Sequence, residues 1–316
     1  MFRDKKIAVV VPAYNEEMLI GDTLTSVPDY VDKIYVVNDC STDKTAEIVE
    51  ALAGEDQRIE CINHEKNKGV GAAIITGYKE ALNDHMDITA VMAGDNQMDP
   101  AFLKSFLDPI VDGTADYTKG NRLLSPEFRK GMSKWRFFGN SILTFLTKVS
   151  SGYWQMVDPQ NGYTAISRQA LENIDLDSVY PRYGYCNNML CKLNVQGLSV
   201  LDVRHPARYG NEKSKIKYGS YIIKVSNLLF SDFLWRLKVK YTVLNFHPLV
   251  FFYLFGVVLC ILGLIGGLYS LYYKFILSGP IFEKGVLALL VFIMGIQSLF
   301  FAMVFDMQHE NGIKFR

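Results

Sequence analysis

Two polar segments near the beginning of the chain place carboxylates directly after β-branched runs. Glu16 follows the run Ile7–Val11, and Asp39 follows the run Ile34–Val37. Such runs are typical of buried parallel strands, and ligands of open α/β sheets bind at the carboxyl ends of the strands. The spacing therefore predicts that both carboxylates meet a ligand that carries hydrogen-bond donors. Two structural alternatives stay open: Asp39 as a helix cap, and Glu16 as a first-turn acid favoured by the helix dipole.

A third apolar run, Ile88–Met92, is followed by Gly94, Asp95 and Gln97. Carboxylate and amide oxygens are ligands that Mg²⁺ and Mn²⁺ accept, and phosphate oxygens can complete the coordination. A cation at this place would neutralise the negative charge that develops on a departing phosphate. The segment therefore predicts a Mg²⁺ or Mn²⁺ site. The structural alternative is that Asp95 only closes a turn.

Three further segments extend the predicted binding edge. Arg122 follows the predicted strand Asp116–Lys119, and a guanidinium at a strand end can fork onto phosphate oxygens. Asp158 opens a later polar turn. The small-residue turn Asn67–Ala73 allows close approach of a ligand to the backbone, although such a turn is more often a packing feature.

Together these motifs, spread over residues 10–216, resemble the family 2 glycosyltransferases, which carry a GT-A nucleotide-sugar-binding fold. The match includes the two opening motifs and the family's Asp-x-Asp-x-Gln pattern, in which Ala93 stands at the first aspartate. The basic segment at residues 206–216 resembles the end of the catalytic domain in polyprenyl-phosphate glycosyltransferases, such as dolichyl-phosphate mannose and glucose synthases. The resemblance implies an α/β fold with a mostly parallel, Rossmann-like sheet flanked by helices.

The resemblance also implies a role for each matching residue. The nucleotide-sugar site would comprise Pro12, Tyr14, Glu16, Asp39, Lys68, Gly94, Asp95 and Arg122. The catalytic residues would be Asp95, Asp158 and Arg122, and the metal ligands would be Asp95 and Gln97. The acceptor phosphate would contact Arg136, Arg208, Ser214 and Lys215.

The implied reaction is a metal-dependent, inverting transfer of a sugar from a UDP- or GDP-linked donor to a polyprenyl or dolichyl phosphate. A phosphate monoester has its second pKa near about 6, so this acceptor is mostly ionised at neutral pH. It then needs positioning more than a general base. Two alternatives stay open: another lipid or a polysaccharide as acceptor, and a non-enzymatic nucleotide-binding membrane scaffold. The chain has no Gln-x-x-Arg-Trp segment, which argues against a polysaccharide synthase.

The C-terminal part contains two uncharged apolar runs, Pro248–Tyr273 and Gly285–Phe305. A bilayer core requires about 20 apolar helical residues, so each run is long enough to span it. The runs predict a two-helix transmembrane hairpin, with both outer ends in the cytoplasm beside flanking basic residues. The alternative is a pair of buried helices in a soluble core.

Composition limits the class of protein further. The chain has 33 basic and 33 acidic residues, so its charge indicates no nucleic-acid partner. Its five cysteines lack pairing or zinc-like spacing, a pattern typical of free thiols in a reducing compartment. The first residues lack the apolar segment of a signal peptide.

From these features we expect three parts: a glycosyltransferase domain at residues 1–215, juxtamembrane amphipathic helices at 216–246 and the hairpin at 247–316. This division predicts a multi-pass membrane protein that contacts membrane lipids and has a cytosolic catalytic domain, at the plasma membrane in a prokaryote. The sugar, the nucleotide base and homo-oligomerisation stay open.

Overall fold

The computed structural model describes residues 1–122, 134–206, 218–244 and 246–313. The chain forms two compact units, Met1–Phe233 and Leu234–Arg316. The first unit contains the α/β domain, and the second contains the apolar C-terminal segments. The boundaries at residues 215 and 246 that we expect from the sequence stay a prediction.

A seven-stranded sheet forms the centre of the first unit. Its strands are β1 (Ile7–Ala13), β2 (Lys33–Asn38), β3 (Ile59–Asn63), β4 (Ile88–Val91), β5 (Tyr117–Asn121), β6 (Thr164–Ser167) and β7 (Val200–Arg204). They lie in the order β3-β2-β1-β4-β6-β5-β7. β6 is antiparallel to both of its neighbours, and the other pairs are parallel. The predicted mostly parallel sheet is confirmed.

Helices of the first unit cover both faces of this sheet. They are α1 (Ile20–Thr25), α2 (Thr45–Glu55), α3 (Val70–Asn83), α4 (Leu103–Val111), α5 (Lys134–Ser151), α6 (Arg168–Glu172) and α7 (Tyr185–Val195), and the next helix along the chain is α8 (Tyr218–Lys238). Every residue of β1 is buried, and Val9 and Val10 belong to separate apolar cores on opposite faces. A strand covered on both faces leaves room for ligand chemistry only at its ends.

The antiparallel strand changes what lies at the carboxyl edge of the sheet. Thr164 at the start of β6 pairs with Val91 of β4 and with Lys119 of β5. β6 therefore begins where its neighbours end. The turn before β6, which contains Asp158, lies at the same edge as the loop after β5, which begins at Arg122.

β5 ends later than the sequence predicts. It spans Tyr117–Asn121, whereas the expected strand was Asp116–Lys119. Gly120 and Asn121 continue the parallel ladder with β7, so backbone pairing rather than side-chain polarity sets the end of this strand. Arg122 is consequently the first residue beyond it.

The second unit contains a π-helix (Val239–Leu244), α9 (Leu249–Phe275) and α10 (Phe282–Ile313). A Cβ atom added to Gly263 in α9 would lie 2.6 Å from Cβ of Phe292 in α10, so the two helices pack closely. Both helices are longer than the predicted apolar runs, because helical backbone hydrogen bonds continue into polar flanks. In the described part of the chain, these two helices are long and apolar enough to cross a membrane, which indicates membrane association.

A buried ion pair connects elements of the second unit. Arg236 donates through Nη1 and Nη2 to the two carboxylate oxygens of Asp306, at 2.9 and 2.8 Å. The Tyr241 hydroxyl donates to the same carboxylate at 2.5 Å. Buried charges persist when they are paired and hydrogen-bonded in this way. The contact joins the end of α8, the π-helix and α10.

Gly77 in α3 offers a test of the packing between this helix and β1. An added Cβ would lie 2.6 Å from Val10 Cγ2 and closer still to Cγ1, so Val10 cannot rotate away from it. We expect Gly77→Ala to lower the stability of the protein by about 1–3 kcal/mol through overpacking. The measurement is the apparent melting temperature of the purified full-length protein.

Gly54→Ala is the matched control, because an added Cβ there meets no atom within 4 Å. We expect this helical substitution to raise stability by about 0.5–1 kcal/mol, since alanine loses less backbone entropy. Equal melting temperatures for the two variants would contradict the close packing of α3 on β1.

Candidate active site

Four non-glycine residues at the carboxyl edge of the sheet have left-handed backbone conformations. Their φ values are 56° for Asn15, 62° for Cys40, 54° for Asn96 and 53° for Asp158. They follow β1, β2 and β4 or precede β6. Such conformations cost roughly 1 kcal/mol or more each and cluster at functional sites. Their concentration here marks this edge as the candidate active site.

Hydrogen bonds tie the loop after β1 to the start of α2. The backbone N–H of Asn15 donates to Ser41 Oγ at 3.0 Å, and that of Glu16 donates to Thr45 Oγ1 at 2.8 Å. The Tyr14 side chain remains 44% exposed beside this junction. The loop thus presents an aromatic ring and a carboxylate on a fixed backbone.

Asp39 lies directly after β2, and its carboxylate is almost fully buried. It accepts hydrogen bonds from the backbone N–H groups of Lys68 at 2.8 Å and Gly69 at 2.7 Å. His64 Nδ1 lies 2.8 Å from Asp39 Oδ1, and His64 Nε2 lies 3.0 Å from Thr76 Oγ1. Burial would raise the pKa of Asp39, but the hydrogen bonds from His64 and the two amides outweigh it and lower the pKa. Asp39 is thus a buried anion that organises the loop before α3, rather than a helix cap.

The small-residue turn Asn67–Ala73 packs against a neighbouring segment. Gly69 has a φ of 101°, and a Cβ added to Gly71 would lie 2.5 Å from the backbone oxygen of Tyr180. Both glycines are therefore required by local geometry. Lys68 contributes its backbone N–H to the carboxylate described above, while its side chain is exposed.

The segment after β4 is held against β1. Gly94 N–H donates to the carbonyl of Pro12 at 3.3 Å, and Thr23 Oγ1 donates to the carbonyl of Gly94 at 3.2 Å. The backbone N–H of Gln97 donates to Asp95 Oδ1 at 3.1 Å. Asp95 therefore does close a turn, and its side chain is half-buried.

The segment after β4 offers few side-chain oxygens that could bind a divalent cation. Among the described residues, no group of three or more His, Cys, Asp or Glu side chains could hold a metal ion. Asp95 and Gln97 supply one carboxylate and one amide, and Ala93 supplies no ligand side chain. Mg²⁺ binds through one or two carboxylates together with substrate phosphates and water. The residues therefore fit a cation whose remaining ligands come from phosphate and water.

Arg122 and Asp158 form a bidentate ion pair. Arg122 Nε donates to Asp158 Oδ2 at 2.8 Å, and Nη2 donates to Oδ1 at 3.0 Å. The backbone N–H of Arg122 adds a third contact at 3.2 Å. Burial would raise the pKa of Asp158, but the guanidinium outweighs it and lowers the pKa. Two predicted catalytic residues, far apart in the sequence, are therefore in direct contact.

Two residues that the sequence analysis missed extend this pair. Asn161 Nδ2 lies 3.3 Å from Asp158 Oδ2 and 2.8 Å from His205 Nε2. Burial lowers the pKa of His205, and the nearby Arg122 lowers it further, so the imidazole is favoured in its neutral form. Asn161 lies in the polar turn that Asp158 opens, and no motif points to His205.

Three more residues near the site, Lys119, Asp202 and His64, were also missed. Lys119 is fully buried in β5, where its Nζ lies 3.0 Å from Asp202 Oδ1. The sequence gives no local signal for this burial, because the strand also contains the polar residues Thr118 and Asn121. His64 follows β3 at the carboxyl edge, and its position after a strand was the only cue.

The predicted acceptor-phosphate residues are not placed by the structure. Arg208, Ser214 and Lys215 lie outside the described residues. Arg136 belongs to α5, but its side chain is also outside the described part. Their role stays a prediction.

Comparison with known proteins identifies the family of this chain. Residues 8–175 match the family model for glycosyl transferase family 2. The chain belongs to this family. It is accordingly a glycosyltransferase, and the predicted family is confirmed.

Two curated relatives of this chain are named for the transfer of different sugars to lipid phosphates. A UDP-N-acetylglucosamine–dolichyl-phosphate N-acetylglucosaminyltransferase from Methanococcus voltae is 32% identical over 213 residues, which cover 63% of this chain and 84% of the relative. An undecaprenyl-phosphate mannosyltransferase from Micrococcus luteus is 26% identical over 208 residues, which cover 63% of this chain and 82% of the relative.

Solved structures confirm the predicted GT-A fold. Glucosyl-3-phosphoglycerate synthase from Mycobacterium tuberculosis, crystallised with Mn²⁺, UDP-glucose and phosphoglyceric acid, superposes with a TM-score of 0.57 at 20% identity. The match covers 75% of this chain and 81% of that structure. At this identity the likeness establishes the fold alone.

The hydrogen bonds around Asp39 lead to a prediction about acid stability. Its pKa is lowered from the ordinary 3.8 in the folded protein, so its contribution to stability is present above that value. The contribution is lost as the pH falls through the lowered pKa. We expect Asp39→Asn to be less stable than the wild type at neutral pH, with a gap that shrinks on acidification. Apparent melting temperatures from about pH 3 to about pH 7 measure this gap.

Asp29→Asn, which removes an exposed carboxylate, is the control for the loss of one charge. We expect this variant to follow the wild type across the whole range. A gap for Asp39→Asn that stays constant to the lowest pH would contradict the stabilised anion.

Proposed function

We propose that this glycosyltransferase moves a sugar from a nucleotide sugar to a polyprenyl or dolichyl phosphate, with inversion at the anomeric carbon. The observation that carries the proposal is the presence, in one chain, of the candidate active site and two helices apolar enough to cross a membrane. A long-chain lipid phosphate is confined to the membrane, so an anchored enzyme meets it directly. The acceptors named for the Methanococcus voltae and Micrococcus luteus relatives support this class.

The donor nucleotide is proposed to lie across the ends of β1, β2 and β4. The exposed ring of Tyr14 would pack on the base. The carboxylates of Glu16 and Asp39 would accept hydrogen bonds from the base or the ribose. The complete proposed nucleotide-sugar site comprises Pro12, Tyr14, Glu16, Asp39, Lys68, Gly94, Asp95 and Arg122.

Asp95 and Gln97 are the proposed ligands of a divalent cation, with Asp95 as the main protein ligand because residue 93 is alanine. Bound there, Mg²⁺ or Mn²⁺ supplies positive charge to the diphosphate as it leaves. The Mn²⁺ in the mycobacterial glucosyl-3-phosphoglycerate synthase structure supports a divalent cation as the cofactor, while the two ligands are proposed from this chain's own residues.

Arg122 and Asp158 are proposed to act together as catalytic residues at the reacting phosphates. The forked guanidinium of Arg122 can hold phosphate oxygens, and Asp158 keeps that guanidinium oriented. A phosphate acceptor, with its second pKa near about 6, arrives largely ionised and needs no strong base. The further contacts to the acceptor phosphate are proposed for Arg136, Arg208, Ser214 and Lys215.

The proposal is tested with the purified full-length protein in detergent and a panel of radiolabelled UDP- and GDP-sugars, beginning with UDP-N-acetylglucosamine. We expect lipid-linked product with polyprenyl phosphate and none with the matched polyprenol, whose hydroxyl would need a base. Chelation should stop transfer, and added Mg²⁺ or Mn²⁺ should restore it. Product with polyprenol alone would contradict the acceptor, and no transfer from any donor would favour a non-enzymatic scaffold.

In the same assay, we expect Asp95→Asn to reduce transfer by about 100-fold or more, because the amide keeps the shape but removes the charge that attracts the cation. Asp29→Asn is again the control and should transfer at the wild-type rate. Near-normal transfer by Asp95→Asn, at an unchanged melting temperature, would contradict its role as the main ligand.

We further propose that α9 and α10 form a transmembrane hairpin, with the catalytic unit in the cytosol and, in a prokaryote, the hairpin in the plasma membrane. The two helices pack closely on each other, and only residues 276–281 separate them. A hairpin of this kind returns the chain to the side from which it entered. Cytosolic nucleotide sugars would then reach the site without crossing the bilayer.

The exposed Ser278 lies between the two helices and allows a test of this topology. We expect Ser278→Cys in intact cells to react with a membrane-impermeant thiol reagent from the outer side, because the turn would emerge there. Glu55→Cys, at an exposed position of the catalytic unit, should react only after the cells are opened. The wild type gives the background of the five native cysteines. The opposite labelling pattern would overturn the topology.

A further inference from the structure

The most unusual side chain near the site is the lysine of β5. Lys119 has a relative exposure of 0%, in a strand whose five residues are all buried. Removal of an ammonium group from water is unfavourable unless the charge is paired and its hydrogen bonds are satisfied. The surroundings of Lys119 must therefore compensate for its burial.

That compensation comes mainly from the turn that carries Asp158. Lys119 Nζ donates to the carbonyls of Val157 at 2.7 Å, Asp158 at 2.8 Å and Gly120 at 3.1 Å. The fourth neighbour is Asp202 Oδ1 at 3.0 Å. Burial lowers the pKa of Lys119, and the carboxylates of Asp202 and Asp158 oppose that change.

Asp202 in β7 also contacts this turn, and together Lys119 and Asp202 form an anchor for the backbone before Asp158. Asp202 Oδ2 accepts a hydrogen bond from the backbone N–H of Val157 at 2.8 Å and from Asn121 Nδ2 at 2.6 Å. The N–H and the carbonyl of Val157 are therefore both held, one by the carboxylate and the other by the ammonium of Lys119. β5 and β7 together fix the backbone immediately before Asp158.

Asp158, which follows the anchored Val157, has a left-handed backbone conformation. Asp158 has a φ of 53°, and its carbonyl is one of the three that Lys119 holds. With the backbone set in this way, its carboxylate meets Arg122 in the bidentate pair at 2.8 and 3.0 Å. Such conformations persist only where the surrounding contacts determine them.

We propose that Lys119 is a positioning residue for glycosyl transfer, which holds the turn before β6 so that Asp158 and Arg122 face the reacting phosphates. Asp202 is its counter-charge and the second half of the anchor. Lys119 acts through Asp158 and does not touch substrate. The inference rests on the proposed function, since it assigns Lys119 to the machinery of that reaction.

A double-mutant cycle separates this role from a general loss of packing. Lys119→Met keeps the length of the apolar stem but removes the charge, and Asp158→Asn removes the carboxylate. Misplacement of a catalytic group by about 1 Å lowers a rate by about 100-fold, and we expect a loss of that order for Lys119→Met. If Lys119 acts through Asp158, the double variant transfers sugar at nearly the rate of Asp158→Asn alone.

Lys192→Met is the matched control, because Lys192 is a second buried lysine, donates to Ser178 Oγ at 2.7 Å and lies in α7. We expect this control to transfer at the wild-type rate, even where its melting temperature falls. Lys119→Met combined with Asp202→Asn removes both charges of the anchor. This variant replaces Lys119→Met in the cycle if the single variant does not fold.

Amide hydrogen exchange provides a readout that does not depend on the acceptor. We expect faster exchange in residues 157–163 of Lys119→Met, with unchanged exchange in β1 and β2, and no such change in Lys192→Met. If the wild type makes no lipid-linked product, the proposed acceptor fails, and the exchange experiment still tests whether Lys119 holds the turn before β6. Rate losses that multiply in the cycle, or unchanged exchange in residues 157–163, would overturn the inference.

Discussion

The candidate active site depends on the pairing of β6 between β4 and β5. An all-parallel sheet would place the start of every strand at the edge away from the ligand. Because β6 is antiparallel to both neighbours, the turn that precedes it lies at the carboxyl edge instead. This one reversal brings Asp158 to Arg122, and it places the carbonyls of that turn above the end of β5, within reach of Lys119.

Buried charges near this edge are compensated by nearby groups. The anion of Asp39 is stabilised by two backbone amides and by His64, and that of Asp158 by the guanidinium of Arg122. Lys119 is compensated by carbonyls and by Asp202. Groups held in advance by such contacts need little reorganisation when charge develops during a reaction, which is the basis of electrostatic preorganisation.

The proposed metal site has a different character. Its protein ligands are one carboxylate and one amide, and the position where the family pattern has another aspartate is Ala93. A cation held by so few protein atoms must depend on the phosphates of the donor for much of its coordination. Metal binding and donor binding would then be coupled, and each would strengthen the other in equal measure.

Local sequence determined much of this protein by itself. The apolar runs define β1, β2 and β4, and the polar residues after them place Glu16, Asp39 and Asp95 at the carboxyl edge of the sheet. These features can be predicted from the sequence because each apolar run and the polar residues that follow it are neighbours in the chain. The two apolar C-terminal helices were readable for the same reason.

Only the tertiary structure decided which distant groups act together. The Lys119 side chain reaches a carbonyl 38 residues along the chain, and Asn121 meets a carboxylate 81 residues away. Whether a lysine in a strand is exposed or buried depends on the strands beside it, and the order of those strands is not a local property. The same order set the extra length of β5 and the partner of Asp158. These features follow from long-range backbone pairing and from the need to compensate each buried charge, and no short segment of sequence contains either constraint.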